Sequence, residues 1–246
     1  MRMQLDNVSK RFGEVAAVSD VSFSVSSGEC LGLLGPNGSG KTTVLNIASR
    51  IEDVDHGDIR LDGRSLLTVS AQTAARSGIA RIFQTVRLSP HLTAAENVSL
   101  GLYGKSSFTS IWQSGHQHQD AIRNAMTFCE LKCTATSSIA VLSYLAQRKL
   151  ELARCVLSNP EIILMDEPTS GFTDKEREDF TNMIGKLKAK GIAVLLVEHS
   201  VLMMEQVCDR IVVLNLGRKL MEGPTQQVLR DHSVIESYLG STRAAS

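Results

Sequence analysis

The hydrophobic and polar positions of the chain repeat with two different periods, and these periods predict where strands and helices lie. Residues 3–8 and 21–25 alternate apolar with polar side chains, which is typical of half-buried strands. Further strands are predicted at Cys30–Leu34, 57–61, 79–83, 162–165, Ala193–Val197 and 211–215. Apolar residues three and four apart predict helices at 41–49, 94–102, 119–131, 145–157, 175–189 and 201–208.

The order of these elements indicates the fold class. Strands and helices alternate before residue 93 and after residue 162, which implies a parallel sheet covered on both faces. Only helices are predicted in between, so the sheet is interrupted by a helical insertion. Segment 103–118 is rich in Ser and Gly without a period, and we expect a loop there. We expect residues 241–246 to form a frayed tail.

Composition agrees with a single globular domain. The chain has 246 residues, 43% of them apolar, with 26 Lys and Arg against 26 Asp and Glu. A net charge of zero offers no global attraction for nucleic acid or an anionic membrane. No apolar run approaches the roughly 20 residues that cross a bilayer. The longest apolar run of the first twenty residues, 15–18, is too short for the apolar region of a secretory signal, so we do not expect one there. If the protein works at a membrane, we expect other chains to span it.

The cysteines and histidines do not indicate disulfides or a metal site. The five cysteines are odd in number and scattered, so we expect no disulfides. Cys129 and Cys133 lie four apart on a predicted helix, but no second pair completes a zinc site. His116 and His118 lack a neighbouring cluster of thiols or carboxylates. For both pairs we favour core thiols or solvated histidines over metal ligands.

A glycine-rich loop between the Cys30–Leu34 strand and the next helix fits G-x-x-x-x-G-K-[ST]. Its glycines let backbone N–H groups approach phosphate oxygens, and the helix start adds a positive dipole end. We expect Lys41 to reach the β- and γ-phosphates and the Thr42 hydroxyl to bind Mg²⁺. The expected nucleotide contacts here are Gly35, Pro36, Asn37, Gly38, Ser39, Gly40, Lys41, Thr42 and Thr43.

Two acids and a histidine follow later strands. Asp166 and Glu167 end the apolar run at 162–165, where we expect Asp166 to hold Mg²⁺ and Glu167 to act as general base. Paired acids at a strand end also commonly begin a helix, and the phosphate loop favours the catalytic interpretation. His199 follows the Ala193–Val197 strand, which should neighbour the Asp166 strand. There it could contact the γ-phosphate or the water, although a single histidine is also commonly structural.

From about residue 3 to residue 240 the sequence resembles the ATP-binding subunits of ABC transporters. The resemblance implies an α/β fold: a P-loop NTPase (ABC ATPase) core with a parallel sheet flanked by helices, an N-terminal antiparallel β portion and an inserted helical subdomain. It implies one domain over 1–240, with a RecA-like core at 1–86 and 159–240. The helical subdomain would span about 87–158 and dock on transmembrane subunits, and 241–246 would be a flexible tail.

The resemblance also assigns roles that spacing does not. Phe12 matches the aromatic residue that stacks on adenine. Gln84 in Arg-Ile-Phe-Gln matches the glutamine that contacts Mg²⁺ and reports the nucleotide state, so we count it as both a catalytic and a metal residue. His199 matches the switch histidine. Ser143 matches the serine of the L-S-G-G-Q signature, which closes over the γ-phosphate held by a partner subunit.

Several stretches resemble the subgroup that serves branched-chain amino acid and related amide importers. They are residues 81–93, the segments 142–144 and 147–154, and the ending at 234–240. The resemblance implies an ATPase, with ATP and Mg²⁺ as cofactors, that couples hydrolysis to import of branched-chain amino acids or amides such as urea. It implies transmembrane permease subunits, an extracytoplasmic solute-binding protein, no nucleic acid, and a peripheral location on the cytoplasmic membrane face.

The signature departs from the family. The chain has Leu145 and Ala146 where the family has the second glycine and the glutamine, and Thr173 where Asp or Asn is usual. A leucine side chain should obstruct close backbone approach, and losing one donor to a developing charge costs about 10²–10³ in rate. The chain's own half-site is intact, so we expect a heterodimer with a second ATP-binding subunit whose signature is intact. The alternatives are a low-turnover regulatory nucleotide-binding module, a nearly inactive paralogue, and a soluble ABC ATPase acting on DNA or ribosomes.

Overall fold

The computed structural model describes residues 2–104 and 115–234. Its strands are β1 (Met3–Phe12), β2 (Val15–Val25), β3 (Cys30–Leu34), β4 (His56–Leu61), β5 (Arg64–Ser65), β6 (Ile79–Ile82), β7 (Ile162–Asp166), β8 (Ala193–Val197), β9 (Arg210–Asn215) and β10 (Arg218–Pro224). Its helices are α1 (Lys41–Ala48), α2 (Ala71–Arg76), α3 (Ala94–Ser99), α4 (Gly115–Phe128), α5 (Tyr144–Leu157), α6 (Asp174–Ala189), α7 (Val201–Val207) and α8 (Thr225–Val228), with 3₁₀ turns at Leu100–Gly104 and Ile139–Val141.

The main sheet has six strands in the order β10-β9-β3-β8-β7-β6. Neighbouring strands from β9 to β6 are parallel, and β10 pairs antiparallel with β9 at one edge. Every residue of β3, β7 and β8 is buried, as expected for a sheet covered on both faces. The carboxyl ends of β3, β8, β7 and β6 therefore lie side by side at the same end of the sheet.

A second, antiparallel sheet has the order β2-β1-β4-β5. Its inner side chains join α1 and one face of the main sheet in one apolar cluster, which includes Leu5, Val21 and Leu45. Helices α3 to α7 cover the opposite face, in a cluster that includes Val98, Leu152 and Phe180; we call it the helix-side cluster. The predicted fold class is confirmed.

Helices α3, α4 and α5 pack on one another, and α5 also contacts β6. They follow the amphipathic pattern of their sequences, since their buried residues, such as Val98 and Leu152, enter the helix-side cluster. Within the ranges that the structure describes, no helix is long and apolar enough to cross a bilayer.

Some sequence predictions need correction. The loop predicted at 103–118 is wrong at both ends, because Gly104 closes a 3₁₀ turn and α4 begins at Gly115. The predicted helix at 94–102 changes to 3₁₀ geometry after Ser99. Four elements that are short or polar were not predicted, namely β5, β10, α2 and α8; β10 is an edge strand in which no residue is fully buried. The tail at 241–246 lies outside the described residues, as does 105–114 of the predicted loop.

Candidate functional site

The glycine-rich loop connects β3 to α1 in a conformation that needs glycine at two positions. Gly35 has φ 153°, and a Cβ there would lie 2.2 Å from the Leu214 carbonyl oxygen. Gly40 has φ 102°, and its Cβ would lie 2.5 Å from the Ala17 carbonyl oxygen. A Cβ on Gly38, in contrast, would have no neighbour within 4 Å. The loop is thus packed tightly on its inner side and open on its outer side, where phosphate oxygens could approach the backbone.

Lys41, the first residue of α1, is buried even though it is charged. Its Nζ donates to the carbonyl oxygens of Gly35 at 2.7 Å and Pro36 at 3.0 Å. Burial lowers the pKa of Lys41, and the carboxylates of Glu167 and Asp166 oppose that shift. The Lys41 ammonium therefore lies against the same loop to which phosphates would bind.

A cavity of about 380 Å³ opens beside the loop. Its phosphate-loop end is lined by Asn37, Gly38, Gly40, Lys41, Thr42 and Thr43. Its other lining residues are Val15, Ala16, Ala17, Glu167 and Leu216. Phe12 is not among them: it pairs with Val15 across the turn between β1 and β2, and its ring is about half exposed. Ser39, a residue of the loop, is buried.

Glu167 follows β7 with a φ of 44°, an unfavourable conformation for a residue with a side chain. Its backbone N–H donates to the Val197 carbonyl oxygen at 2.9 Å. One carboxylate oxygen accepts from Gln84 Nε2 at 2.9 Å, and the other lies 2.8 Å from His199 Nε2. Three residues separated by up to 115 positions in sequence therefore meet, because β6, β7 and β8 are neighbours in the sheet. The predicted adjacency of the Asp166 and His199 strands is confirmed.

Asp166, the last residue of β7, is paired with a cation that the sequence analysis missed. Arg81 Nη2 donates to its carboxylate at 3.4 Å, and both side chains are buried. Arg81 Nη1 also donates to Ser49 Oγ at 2.9 Å. Burial raises the pKa of Asp166, and the Arg81 guanidinium opposes that shift. A charged residue inside the short strand β6 was the available signal.

The donor set that could hold Mg²⁺ is of the expected kind. Thr42 supplies a hydroxyl in the first turn of α1, Gln84 supplies an amide oxygen just after β6, and Asp166 supplies a carboxylate. Mg²⁺ prefers such hard oxygen ligands and is commonly held by one carboxylate together with substrate phosphates. All three residues lie at the end of the main sheet where the parallel strands finish, so their oxygen donors suit a Mg²⁺ ion there.

The signature segment begins α5. Ser143 is the N-cap residue, and its Oγ accepts from the Ala146 N–H at 3.2 Å. The side chain of Leu145 is half-buried and packs against the helix-side cluster. The exposed Tyr144 ring meets Phe172 edge to face, with centroids 5.8 Å apart. The loop with the second departure is also well formed, because Thr173 caps α6 in a reciprocal capping box with Glu176.

A buried arginine joins the signature helix to the segment that carries Gln84. Arg148 in α5 is 0% exposed, and it donates to the carbonyl oxygens of Phe83, at 2.6 Å, and of Gln84. It also donates to Tyr144 Oη and to Glu151 Oε2, each at 2.9 Å. Arg148 was not predicted from the sequence, because helical spacing does not distinguish a fully buried arginine from a surface one.

Comparison with known proteins identifies the family of the chain. The family profile described as "ABC transporter" matches residues 18–170, which is more than half of the chain. The chain therefore belongs to the ABC transporter family of ATP-binding proteins.

Among curated relatives, the high-affinity branched-chain amino acid transport ATP-binding protein BraF of Pseudomonas aeruginosa is 34% identical over 97% of both chains. The corresponding LivG protein of Escherichia coli K12 is 33% identical, also over 97% of both chains. Nod factor export ATP-binding protein I of Burkholderia lata is 34% identical over 95% of this chain and 72% of the relative.

Among solved structures, the ADP conformation of MJ1267, an ATP-binding cassette of an ABC transporter, superposes with a TM-score of 0.86. It is 29% identical and covers 97% of this chain and 98% of its own. The dimeric post-hydrolysis state of the cassette MJ0796, bound to ADP and Pi, has a TM-score of 0.80 and 28% identity. It covers 91% of this chain and 98% of its own.

Proposed function

We propose that this chain is the ATP-hydrolysing subunit of an ABC importer for branched-chain amino acids or related amides such as urea. The observation that carries the hydrolytic part is the position of Glu167, which lines the phosphate-loop cavity and is held by Gln84 and His199. The solute class is supported by the two branched-chain amino acid relatives that match over 97% of both chains.

In this proposal the site residues bind the nucleotide, position the general base and hold the metal ion, and Gln84 does both of the last two. The backbone N–H groups of Gly35 and of residues 37–43, together with the Lys41 ammonium, bind the phosphates of ATP, while Glu167 accepts the proton of the attacking water. Gln84 and His199 fix the orientation of the Glu167 carboxylate. Mg²⁺, held by Thr42, Gln84 and Asp166, would neutralise charge on the phosphate oxygens when bound. Phe12 stacks on adenine.

The transmembrane steps belong to other chains. We propose that transmembrane permease subunits bind the region around 87–158, that an extracytoplasmic solute-binding protein delivers the solute, and that nucleic acid has no part. The chain would then be a peripheral protein on the cytoplasmic membrane face. The bonds of Arg148 to the Gln84 segment support such coupling, because they tie this helical region to the carboxylate at Glu167.

The altered signature supports an asymmetric heterodimer. A partner's ATP would meet Ser143 beside Leu145 and Ala146, whereas this chain's own phosphate loop would meet the intact signature of a second ATP-binding subunit. One site would then hydrolyse strongly and the other weakly. We expect the isolated chain to hydrolyse ATP slowly, because a homodimer would carry two altered signatures.

Co-purification tests the proposal directly. We would tag the chain in its own cells, solubilise the membranes gently with Mg-ATP, and identify the associated proteins. Two multispanning proteins and a second ATPase with an intact signature are expected. Recovery of the chain alone, or only with soluble partners, would refute the importer. The untagged strain is the control for proteins that bind the resin.

A restored signature tests the asymmetry. In the isolated chain, Leu145→Gly with Ala146→Gln should raise ATP turnover by about 10²-fold, the effect of regaining one well-placed donor. Leu145→Ala is the companion variant, since it removes only the side-chain bulk: a rise in its turnover would assign the defect to obstruction by the leucine. Wild-type turnover already at the level of a restored variant would contradict the asymmetric heterodimer.

The same departures favour a second candidate, a regulatory module that closes on ATP and barely turns it over. Glu167→Gln in the assembled complex separates the two. For a hydrolysing subunit the substitution should lower turnover of the complex strongly and leave ATP binding intact. For a regulatory subunit turnover should not change.

A further inference from the structure

The turn between β9 and β10 carries a leucine in an unfavourable setting. Leu216 is 82% exposed and has a φ of 47°, so a large apolar side chain faces water on a left-handed backbone. Asn215 and Arg218 pair on either side of it, so Leu216 and Gly217 form a two-residue hairpin turn. Asn-Gly is the favoured sequence for such a turn, and thus the turn itself gives no reason for a leucine.

The turn is fixed against the phosphate loop. The Gly217 N–H donates to the Ser39 carbonyl oxygen at 3.1 Å, and the Ser19 N–H donates to the Gly217 carbonyl oxygen at 2.7 Å. A Cβ on Gly217 would lie 2.8 Å from the Ala17 carbonyl oxygen. The hairpin therefore touches both the phosphate loop and β2, and it holds Leu216 at a set position beside them.

Leu216 lines the same cavity as the phosphate loop. Val15, which is 67% exposed, lines it as well, together with Ala16 and Ala17. These four side chains have no hydrogen-bonding group, whereas the phosphate-loop end offers N–H groups, hydroxyls and an ammonium. A nucleoside triphosphate with its phosphates on the loop would extend its ribose and base toward the apolar end.

We infer that Leu216 and Val15 form an apolar clamp for the purine base of the bound nucleotide, in addition to the Phe12 ring. The inference rests on the proposed ATP site. Burial of both side chains under a flat base removes apolar surface from water, which explains why a leucine occupies a strained and exposed position. The strain is the cost of an apolar contact made only with ligand bound.

Leu216→Asn tests the clamp, because the turn favours asparagine at this position whereas contact with the base favours an apolar side chain. Asparagine suits the left-handed position, so the unfolding temperature of the nucleotide-free chain should not fall. The affinity for ATP should fall about tenfold, the effect expected from losing the burial of one leucine side chain. The affinity for inorganic tripolyphosphate should not change, because that ligand has no base. Both affinities are measured by calorimetry on the full chain.

Leu220→Asn is the matched control, since Leu220 is an exposed leucine on β10 outside the cavity lining. It should leave both affinities unchanged. Equal ATP affinity in wild type and Leu216→Asn would overturn the clamp. An equal loss for ATP and tripolyphosphate would also overturn it, because the damage would then lie in the phosphate loop. A wild-type chain that binds neither ligand would instead refute the proposed ATP site.

Discussion

Replacing Arg148 with methionine should destabilise the chain strongly. The substitution keeps an unbranched side chain in the helix but removes donors to Phe83, Gln84, Tyr144 and Glu151. The Glu151 carboxylate is 1% exposed, so it would remain buried without its principal cation.

The magnitude follows from that burial. Removing one partner of a buried ion pair costs about 3–5 kcal/mol, because the other charge stays desolvated. The Glu151 carboxylate would keep two contacts: a hydrogen bond from the Arg87 N–H at 2.6 Å and an ion pair with Arg154 Nη2 at 3.7 Å. A domain is stable by about 5–15 kcal/mol, so the loss would be a large fraction of the total.

A second substitution tests the cause. Glu151→Leu added to Arg148→Met removes the orphaned carboxylate, at the expense of leaving the Arg87 N–H without its acceptor. An unpaired N–H costs about 1–3 kcal/mol, less than an unpaired buried charge. We therefore expect the double variant to be more stable than Arg148→Met alone, which is a strong non-additivity.

The assay is urea unfolding of the full chain without nucleotide, followed by circular dichroism. Arg123→Met is the matched control, because Arg123 is 74% exposed and lies 3.8 Å from Asp120 in a surface pair. Such pairs contribute about 0–1 kcal/mol. A cost for Arg148→Met below about 1 kcal/mol would refute the reasoning, and so would a double variant whose cost equals the sum of the single costs.

Four further predictions concern the loop, the site and a helix cap. Gly40→Ala should abolish tight ATP binding in calorimetry, because its Cβ would lie 2.5 Å from a carbonyl oxygen; unchanged binding would contradict the loop geometry. His199→Ala should lower ATP turnover of the assembled complex while equilibrium ATP binding persists, and unchanged turnover would contradict a role for His199 in hydrolysis. Thr173→Ala should cost about 1 kcal/mol in urea unfolding, and no loss would mean that the cap is not needed. Hydrogen bonds from the Thr173 N–H and hydroxyl lower the pKa of Glu176, so its stabilisation is present at neutral pH and is lost as the pH falls through the folded-state pKa. The difference in unfolding temperature between wild type and Glu176→Gln should therefore shrink from about pH 6 to about pH 3, and a constant difference would contradict the assignment.

The sequence by itself determined the features that depend on neighbouring residues. The phosphate loop could be located because its backbone conformation requires glycine at Gly35 and Gly40, which is a local steric demand. The buried strands and the amphipathic helices were predicted from their periods, and the alternation of both indicated a parallel α/β fold. Errors occurred where the pattern is short or polar, as at β10.

Only the tertiary structure decided which distant residues meet. Gln84, Glu167 and His199 come together because β6, β7 and β8 are adjacent in the sheet. The adjacency of β7 and β8 was predicted, but the periodicity of the sequence does not predict the rest of the strand order. The same holds for the bonds of Arg148 and for the position of Leu216 beside the phosphate loop. Such contacts join residues far apart in the chain, so they depend on packing energies that no short segment contains.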